Sequence, residues 1–370
     1  MFLTIIIFIA IICLLVFAHE IGHFISAKKA GVAVEEFGFG FPPRLFSFKK
    51  KETIYSINLI PIGGFVKIKG ESGRDSAEKD SFVNKKFWQK SIILGSGVTM
   101  NIFFAFILIT IGLMIGLPTI IDDEQPLPAN ITNKKVQIAS IYEKSAADLA
   151  GLKIGDIILT IDGQSFPKVA EMQKYIKTHQ NNSLSLEIER GKEKLIKEIT
   201  PALIEGNNEK LLGVNLVSTG LIHYNFFLAI YHGFLTTFSL IFEIISALYW
   251  LIKGAISGAN ITNQLSGPVG VAVLTSQVTK LGFIYLIQFT ALLSLNLAII
   301  NILPFPALDG GRILFIIIEK IRGKPNNEKI ESLIHNIGFS LLMILIVFVT
   351  YRDLLRYGQK IINNLKGFFS

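Results

Sequence analysis

The sequence predicts a membrane α-helical protein with about four transmembrane helices, a membrane-associated β-hairpin and one inserted extracytoplasmic α+β domain. Three observations carry that reading. Apolar residues make up 51% of the 370-residue chain and charged residues only 17%, and mean hydropathy is +0.51, well above the range of soluble domains. Apolar runs at 2–18, 91–117, 281–303 and 333–350 are long enough to cross hydrocarbon as helices. Between the second and third lies a polar stretch of domain size, beginning at 122.

The same numbers exclude other classes. The net charge of +8 comes partly from lysines flanking the apolar runs, where anionic lipid attracts them. No aromatics interleave with these lysines as in a nucleic-acid groove, so a nucleic-acid partner is not expected. The single cysteine, Cys13, rules out an intramolecular disulfide and a cysteine metal site.

The first run has no Lys or Arg before it and is followed by Lys28 and Lys29, which reads as an uncleaved span starting outside. It ends in His19-Glu20-Ile21-Gly22-His23. On a helix, histidines four residues apart share one face, so both imidazoles can reach one metal ion. Glu20 beside them is suited to take a proton from water and return it to a leaving amine, the general-base role in zinc peptidases. The competing reading has both histidines snorkelling at a helix end, but polar groups of this kind are costly at membrane depth and usually mark function.

The segment up to Lys90 is rich in lysine, including Lys49, Lys50, Lys51, Lys85 and Lys86, and reads as cytoplasmic. Gly38 to Pro43 looks like a turn-rich break. Thr53 to Ile60 alternates as a strand, and Gly64 to Lys69 follows as a second, giving a hairpin within 38–70. Such a hairpin either packs conventionally or offers its edge to an extended peptide. A helical substrate hides its carbonyls in its own hydrogen bonds and must be straightened before water can attack.

The second span carries Gly95, Gly97, Gly112 and Gly116, which permit close helix packing, and Asn101, which either bonds a neighbouring helix or orients the site. The polar domain then reads as strand 136–141, a helical turn at 145–150, strand 157–161, the turn Asp162-Gly163, a helix at 169–178 and strands 184–190 and 194–200. Its AGLKIGD and IDG elements resemble a PDZ domain of the bacterial protease type.

From 226 to 252 the chain is apolar, yet His232, Thr236, Ser239, Glu243, Ser246 and Lys253 form one polar stripe. The run at 281–303 leads into Asn301-Ile302-Leu303-Pro304-Phe305-Pro306-Ala307-Leu308-Asp309-Gly310-Gly311. Broken backbone at membrane depth is tolerated only where protein or a watery cavity satisfies it. Asp309 is therefore the expected third metal ligand, its alternative being a helix N-cap. Two histidines and a carboxylate leave a fourth position open, as catalytic zinc requires. For Asp309 to meet the histidines, the helix at 226–252 cannot also cross; it is expected to be interfacial or re-entrant.

Taken together, HEIGH at 19–23, GFG at 38–40, IPIGGFVK at 60–67, the PDZ-like insert, LSGPVG at 265–270 and NILPFPALDGG at 301–311 resemble the site-2 protease family of intramembrane zinc metalloproteases, of the bacterial regulator-of-sigma-E protease type. The resemblance implies a Zn2+ cofactor held by His19, His23 and Asp309, Glu20 as base, and Asn301, Gly38 and Gly40 at the substrate. It implies a single-span substrate of the anti-sigma-factor type, or remnant signal peptides, and a place in the bacterial inner (cytoplasmic) membrane with the PDZ-like domain extracytoplasmic. The expected division is 1–121, an N-terminal membrane region; 122–217, the PDZ-like domain; 218–280, an amphipathic membrane-associated helix and linker; and 281–370, a C-terminal membrane region. A noncatalytic scaffold with a structural metal is the rival class, but it has no need of Glu20 beside an open ligand position.

Overall fold

The computed structural model describes residues 2–71, 78–124, 130–142, 144–191, 193–203, 210–258, 265–324 and 326–369. The chain forms two compact units, one of 1–109, 233–278 and 287–370, the other of 110–232 and 279–286.

In the first unit, α1 (Phe2–Lys29) is an unbroken aliphatic run whose last turn carries Lys28 and Lys29, cations suited to the negative end of the helix dipole. It stops at Gly31, whose φ of +68° is the left-handed conformation that ends helices. β1 (Val34–Lys50) and β2 (Thr53–Ile68) follow. Each strand bends, so the sheet is four segments wide. Phe37 lies opposite both Val66 and Tyr55, and Gly38 opposite both Phe65 and Ser56, while Arg44 to Lys50 run back along Asn58 to Thr53. The order is 44–50, 53–58, 34–41, 60–68, with 44–50 at one edge and 60–68 at the other. The expected break at 38–43 is therefore inside a strand. The two strands expected to pair directly are separated by the first half of β1, whose Phe37, Phe39 and Phe41 alternate behind intervening glycines.

Phe17 and Phe24 of α1 pack on this sheet, their rings 5.5 and 5.0 Å from that of Phe37. α2 (Phe87–Ile115) closes the layer. Ala27, Val32, Val34, Ile68, Phe82, Ile93 and Leu94 are buried together and tie helix, sheet and helix into one core. The two helices touch closely: a Cβ at Gly22 would stand 2.3 Å from the Ser96 carbonyl oxygen, and Ser26 and Ser96 share a hydroxyl contact of 2.7 Å.

The second unit contains β3 (Leu117–Ile121), β4 (Ile131–Ile141), α3 (Ala146–Leu149), β5 (Ile157–Ile161), α4 (Val169–Thr178), β6 (Leu184–Arg190), β7 (Glu193–Ile199), the short pair β8 (Ala202–Leu203) and β9 (Lys210–Leu211), and β10 (Val214–Ile222). The six-stranded sheet runs β3-β10-β4-β5-β6-β7. Its alternating inner residues, among them Ile138, Ile158, Ile161, Leu184, Leu186 and Ile188, meet Met172 and Ile176 of α4 in the core. The AGLKIGD element has a structural reason: Asp156, 1% exposed, accepts hydrogen bonds from Arg190 at 2.7 and 2.6 Å. This sheet begins at 117 and ends at 222, wider than 122–217, because β3 pairs with β10.

The chain then forms α5 (Phe226–Ile256), α6 (Pro268–Leu281), α7 (Phe283–Ile302), α8 (Asp309–Arg322) and α9 (Glu328–Phe369). Among the described residues five helices are long and apolar enough to cross a membrane: α1, α2, α5, α7 and α9. The stretch holding α6 was expected as linker. It is helical from Pro268, a residue suited to a first helical position. Its opening amides, Gly267 and Gly270, donate to the buried Asp353 carboxylate of α9 at 3.0 and 2.6 Å.

Candidate active site

Four elements of the first unit converge on one point. The Nε2 atoms of His19 and His23 are 3.2 Å apart, and Asp309 Oδ2 stands 3.0 Å from the first and 3.4 Å from the second. Ligands held 2.0–2.1 Å from zinc at tetrahedral angles lie about 3.3 Å from one another. Both rings are buried, 7% and 8% exposed.

The outer ring nitrogens explain why these three atoms face each other bare. His23 Nδ1–H donates to the Ile93 carbonyl at 2.8 Å. His19 Nδ1 lies 3.3 Å from the amide of Asn101, a residue 0% exposed whose Oδ1 otherwise lacks a partner. Orienting that amide with its oxygen toward Nδ1–H pairs both groups. Each imidazole then points an unprotonated Nε2 at the carboxylate. Three acceptors with no proton between them form the donor set of a metal site, and a histidine whose outer nitrogen donates to a fixed acceptor is the usual ligand form. These residues fit a zinc ion.

Gly97 makes the approach possible. A Cβ there would fall 2.4 Å from His23 Nε2 and 2.7 Å from His19 Nε2. On the opposite side, Asp309 opens α8 in its first turn, with Leu308 at the N-cap, so Asp309 does not serve as the cap. Gly310 and Gly311 let the turn close, since Cβ atoms there would lie 2.1 Å from the Ile302 oxygen and 2.2 Å from the Phe305 oxygen. The Ser294 hydroxyl of α7 donates to the Asn101 carbonyl of α2 at 2.8 Å, holding the two helices in register.

A cavity of about 220 Å³ opens at the site, lined by Val16, His19, Glu20, Leu297, Asn301, Ala307, Leu308 and Asp309. Glu20 and Asn301 thus share the space that His19 and Asp309 border. Glu20 also reaches the sheet, its Cγ 3.8 Å from where a Gly64 Cβ would stand. Gly38 and Gly40, expected at the substrate, do not line the cavity. Gly38 has a strand partner on both sides, and the Gly40 carbonyl accepts from the Asn58 amide at 3.1 Å. A side chain at Gly38 would strike the Phe65 ring, so both glycines serve the closing of the sheet. Sequence reasoning left the role of Asn101 open and did not single out His335, whose contact with the Asp309 loop spans 28 residues.

Residues 7–345 match the family model described as Peptidase family M50. The chain is 31% identical to Zinc metalloprotease RasP of Bacillus licheniformis, over 95% of this chain and 99% of that protein. It is 30% identical to Regulator of sigma-W protease RasP of Bacillus subtilis, over 95% and 98%. To a putative zinc metalloprotease of Clostridium perfringens it is 35% identical, over 92% and 95%. Among solved structures it is similar to the PDZ domain of an SdrC-like protein of Listeria innocua, with 27% identity, 22% of this chain and 92% of that chain covered, and a TM-score of 0.21.

Proposed function

Because the chain belongs to peptidase family M50 and is a zinc metalloprotease, we propose that it cuts single-span membrane proteins within the bilayer, with His19, His23 and Asp309 as zinc ligands. The observation that carries this reading is the convergence of those three donor atoms at 3.0–3.4 Å beside a cavity that also holds Glu20.

Zinc held by these three residues would supply Lewis-acid chemistry, acidifying water and polarising a carbonyl. Glu20 takes a proton from the attacking water and delivers it to the leaving amine. Asn301 offers its amide to the substrate backbone. The outer sheet segment, 60–68, holds the cleaved stretch extended by main-chain hydrogen bonds, and Gly38 and Gly40 act by building that sheet. Glu20, adjoining Gly64 on that segment, is at the right place for both tasks.

A relative whose name is Regulator of sigma-W protease supports the choice of substrate class. We assign to this chain a single-span substrate of the anti-sigma-factor type, or a remnant signal peptide, in the bacterial cytoplasmic membrane, with the PDZ-like domain extracytoplasmic. Four of the five apolar helices cross, and α5 lies in the interface. Two contacts support this. His335 contacts the Asp309 loop, while Asp353, eighteen residues further along α9 and so about 27 Å away, holds the start of α6. α6 thus begins at the end of α9 remote from the site. Had α5 crossed to the site side, residues 257–267 would have to cross back, and eleven residues are too few for a spanning helix.

The test is Glu20→Gln in the purified protein with a labelled membrane-spanning peptide. Zinc is expected to remain bound and cleavage to be lost. Cleavage that survives the change removes Glu20 from the chemistry.

A further inference from the structure

The position of Asp309 depends on six residues, Leu303 to Leu308, that join α7 to α8. Pro304 and Pro306 have no N–H to donate. Leu303 donates to the Ile300 carbonyl at the end of α7, and Phe305 and Leu308 donate to the carbonyls of Leu303 and Phe305 within the stretch. Ala307 differs in two respects. Its φ is +79°, a left-handed conformation that costs a non-glycine residue free energy and persists only where the surroundings enforce it. Its N–H leaves the loop and donates to His335 Nδ1 of α9 at 2.9 Å.

The same face of α9 supports the neighbouring residue. Gly338, three positions on and therefore beside His335, leaves room for Pro306: a Cβ there would stand 2.5 Å from Pro306 Cβ and 2.6 Å from its oxygen. The His335 ring is set by Phe315 of α8, with centroids 5.2 Å apart. Since Nδ1 accepts, the proton of the neutral ring is on Nε2, a buried atom with no partner among the described residues. A half-buried imidazole whose Nδ1 receives a loop amide, and whose Nε2 has no partner among the described residues, is fixed by the bond it does make.

We propose that His335 is a positioning residue for the reaction: by receiving the Ala307 N–H, and with Gly338 receiving Pro306, it holds the left-handed turn that aims Asp309 at the histidine pair. The proposal rests on Asp309 being a zinc ligand. It makes the last membrane helix part of the metal site without any contact to the metal. Ala307 and Leu308 also border the active cavity, so a turn released from α9 loosens one wall of that cavity as well.

The test uses the purified full-length protein, with zinc affinity read by chelator competition and coordination read from the visible spectrum of the cobalt-substituted protein. His335→Ala is expected to weaken zinc about tenfold, the scale seen for groups that orient ligands, to alter the cobalt spectrum and to lower kcat while KM holds. His335→Asn, whose Oδ1 can receive the same amide, restores all three. Ala307→Gly, which needs no enforcement in this conformation, shrinks the effect of His335→Ala in the double variant. Gly338→Ala keeps the histidine, favours the helix and displaces Pro306, and is expected to weaken zinc in the same direction; it decides the matter if His335→Ala does not fold. Wild-type zinc affinity in both His335→Ala and Gly338→Ala overturns the proposal. A wild-type protein that binds no zinc overturns instead the ligand reading beneath it.

Discussion

Gly97→Ala is a one-carbon test of the site. The added methyl would lie 2.4 Å from His23 Nε2 and 2.7 Å from His19 Nε2, whereas nonbonded atoms of this size rest about 3.5 Å apart. The overlap is therefore about 1 Å on each ring. Neither ring can yield cheaply, because His23 is held by the Ile93 carbonyl and His19 by Asn101. α1 cannot retreat or slide as a body without breaking the Gly22 contact with Ser96. Ligand atoms moved by that amount no longer sit at zinc-bonding distance. Zinc affinity is expected to fall by at least about 100-fold, the upper end for loss of a mere orienting group, and cleavage by a similar factor. Gly95→Ala is the control on the same helix. Nothing lies within 4 Å of its Cβ, so it keeps zinc and activity and gains up to about 1 kcal/mol of helix preference. Chelator competition and peptide cleavage read both variants. A Gly97→Ala protein with wild-type zinc affinity would refute the helix crossing on which the site is built.

Three further outcomes are expected. Asn101→Ala removes the acceptor for His19 Nδ1 and should weaken zinc about 10–100-fold without unfolding the protein, measured by the same competition; an unchanged affinity would deny Asn101 its orienting role. In a Cys13→Ala background, Asn215→Cys and Ser266→Cys should react with an impermeant thiol reagent from the same side of the membrane, and labelling from opposite sides would mean that α5 crosses. In the second unit, burial works to raise the Asp123 pKa, but Lys134 at 2.7 Å, the Ser218 hydroxyl and the Val169 N–H outweigh it and hold the carboxyl below its usual range. A carboxyl depressed in the folded state contributes stability above its unfolded pKa, near 3.9, and loses it as pH falls through the lower folded value. Asp123→Asn should lower the melting temperature at neutral pH, with the difference from wild type shrinking as pH falls below the unfolded carboxylate pKa and through the lower folded one; a difference independent of pH would assign the effect to packing.

What the sequence made legible was chemistry written locally. His19 and His23 share a helix face by spacing alone, with Glu20 beside them, and Asp309 is marked by prolines and glycines that only a tight turn between helices needs. The alternation of Val136 to Ile141 and Leu184 to Arg190 likewise foretold two strands of one sheet, with β5 between them. Contacts made across long separations were not legible. The first half of β1 lies between the two halves of β2 because Glu36 faces both Ile54 and Lys67, and no periodicity encodes which of two alternating runs is the neighbour. α6, rich in valine and threonine, has weak helix preference of its own; its start is fixed by Asp353, more than eighty residues later. β10 lay hidden at the domain edge because it pairs with β3 and β4 on either side. Asn101 and His335 act through single contacts to His19 and Ala307, which sequence spacing cannot reveal.

X-ray absorption at the zinc edge, on purified wild-type and Asp309→Ala protein, is the most direct measurement. The wild type should hold one zinc per chain with nitrogen and oxygen neighbours at about 2.0–2.1 Å, two of them imidazoles, and Asp309→Ala should lose the metal or exchange that oxygen. A zinc environment identical in the two proteins would contradict the convergence of α1 and α8 on one ion.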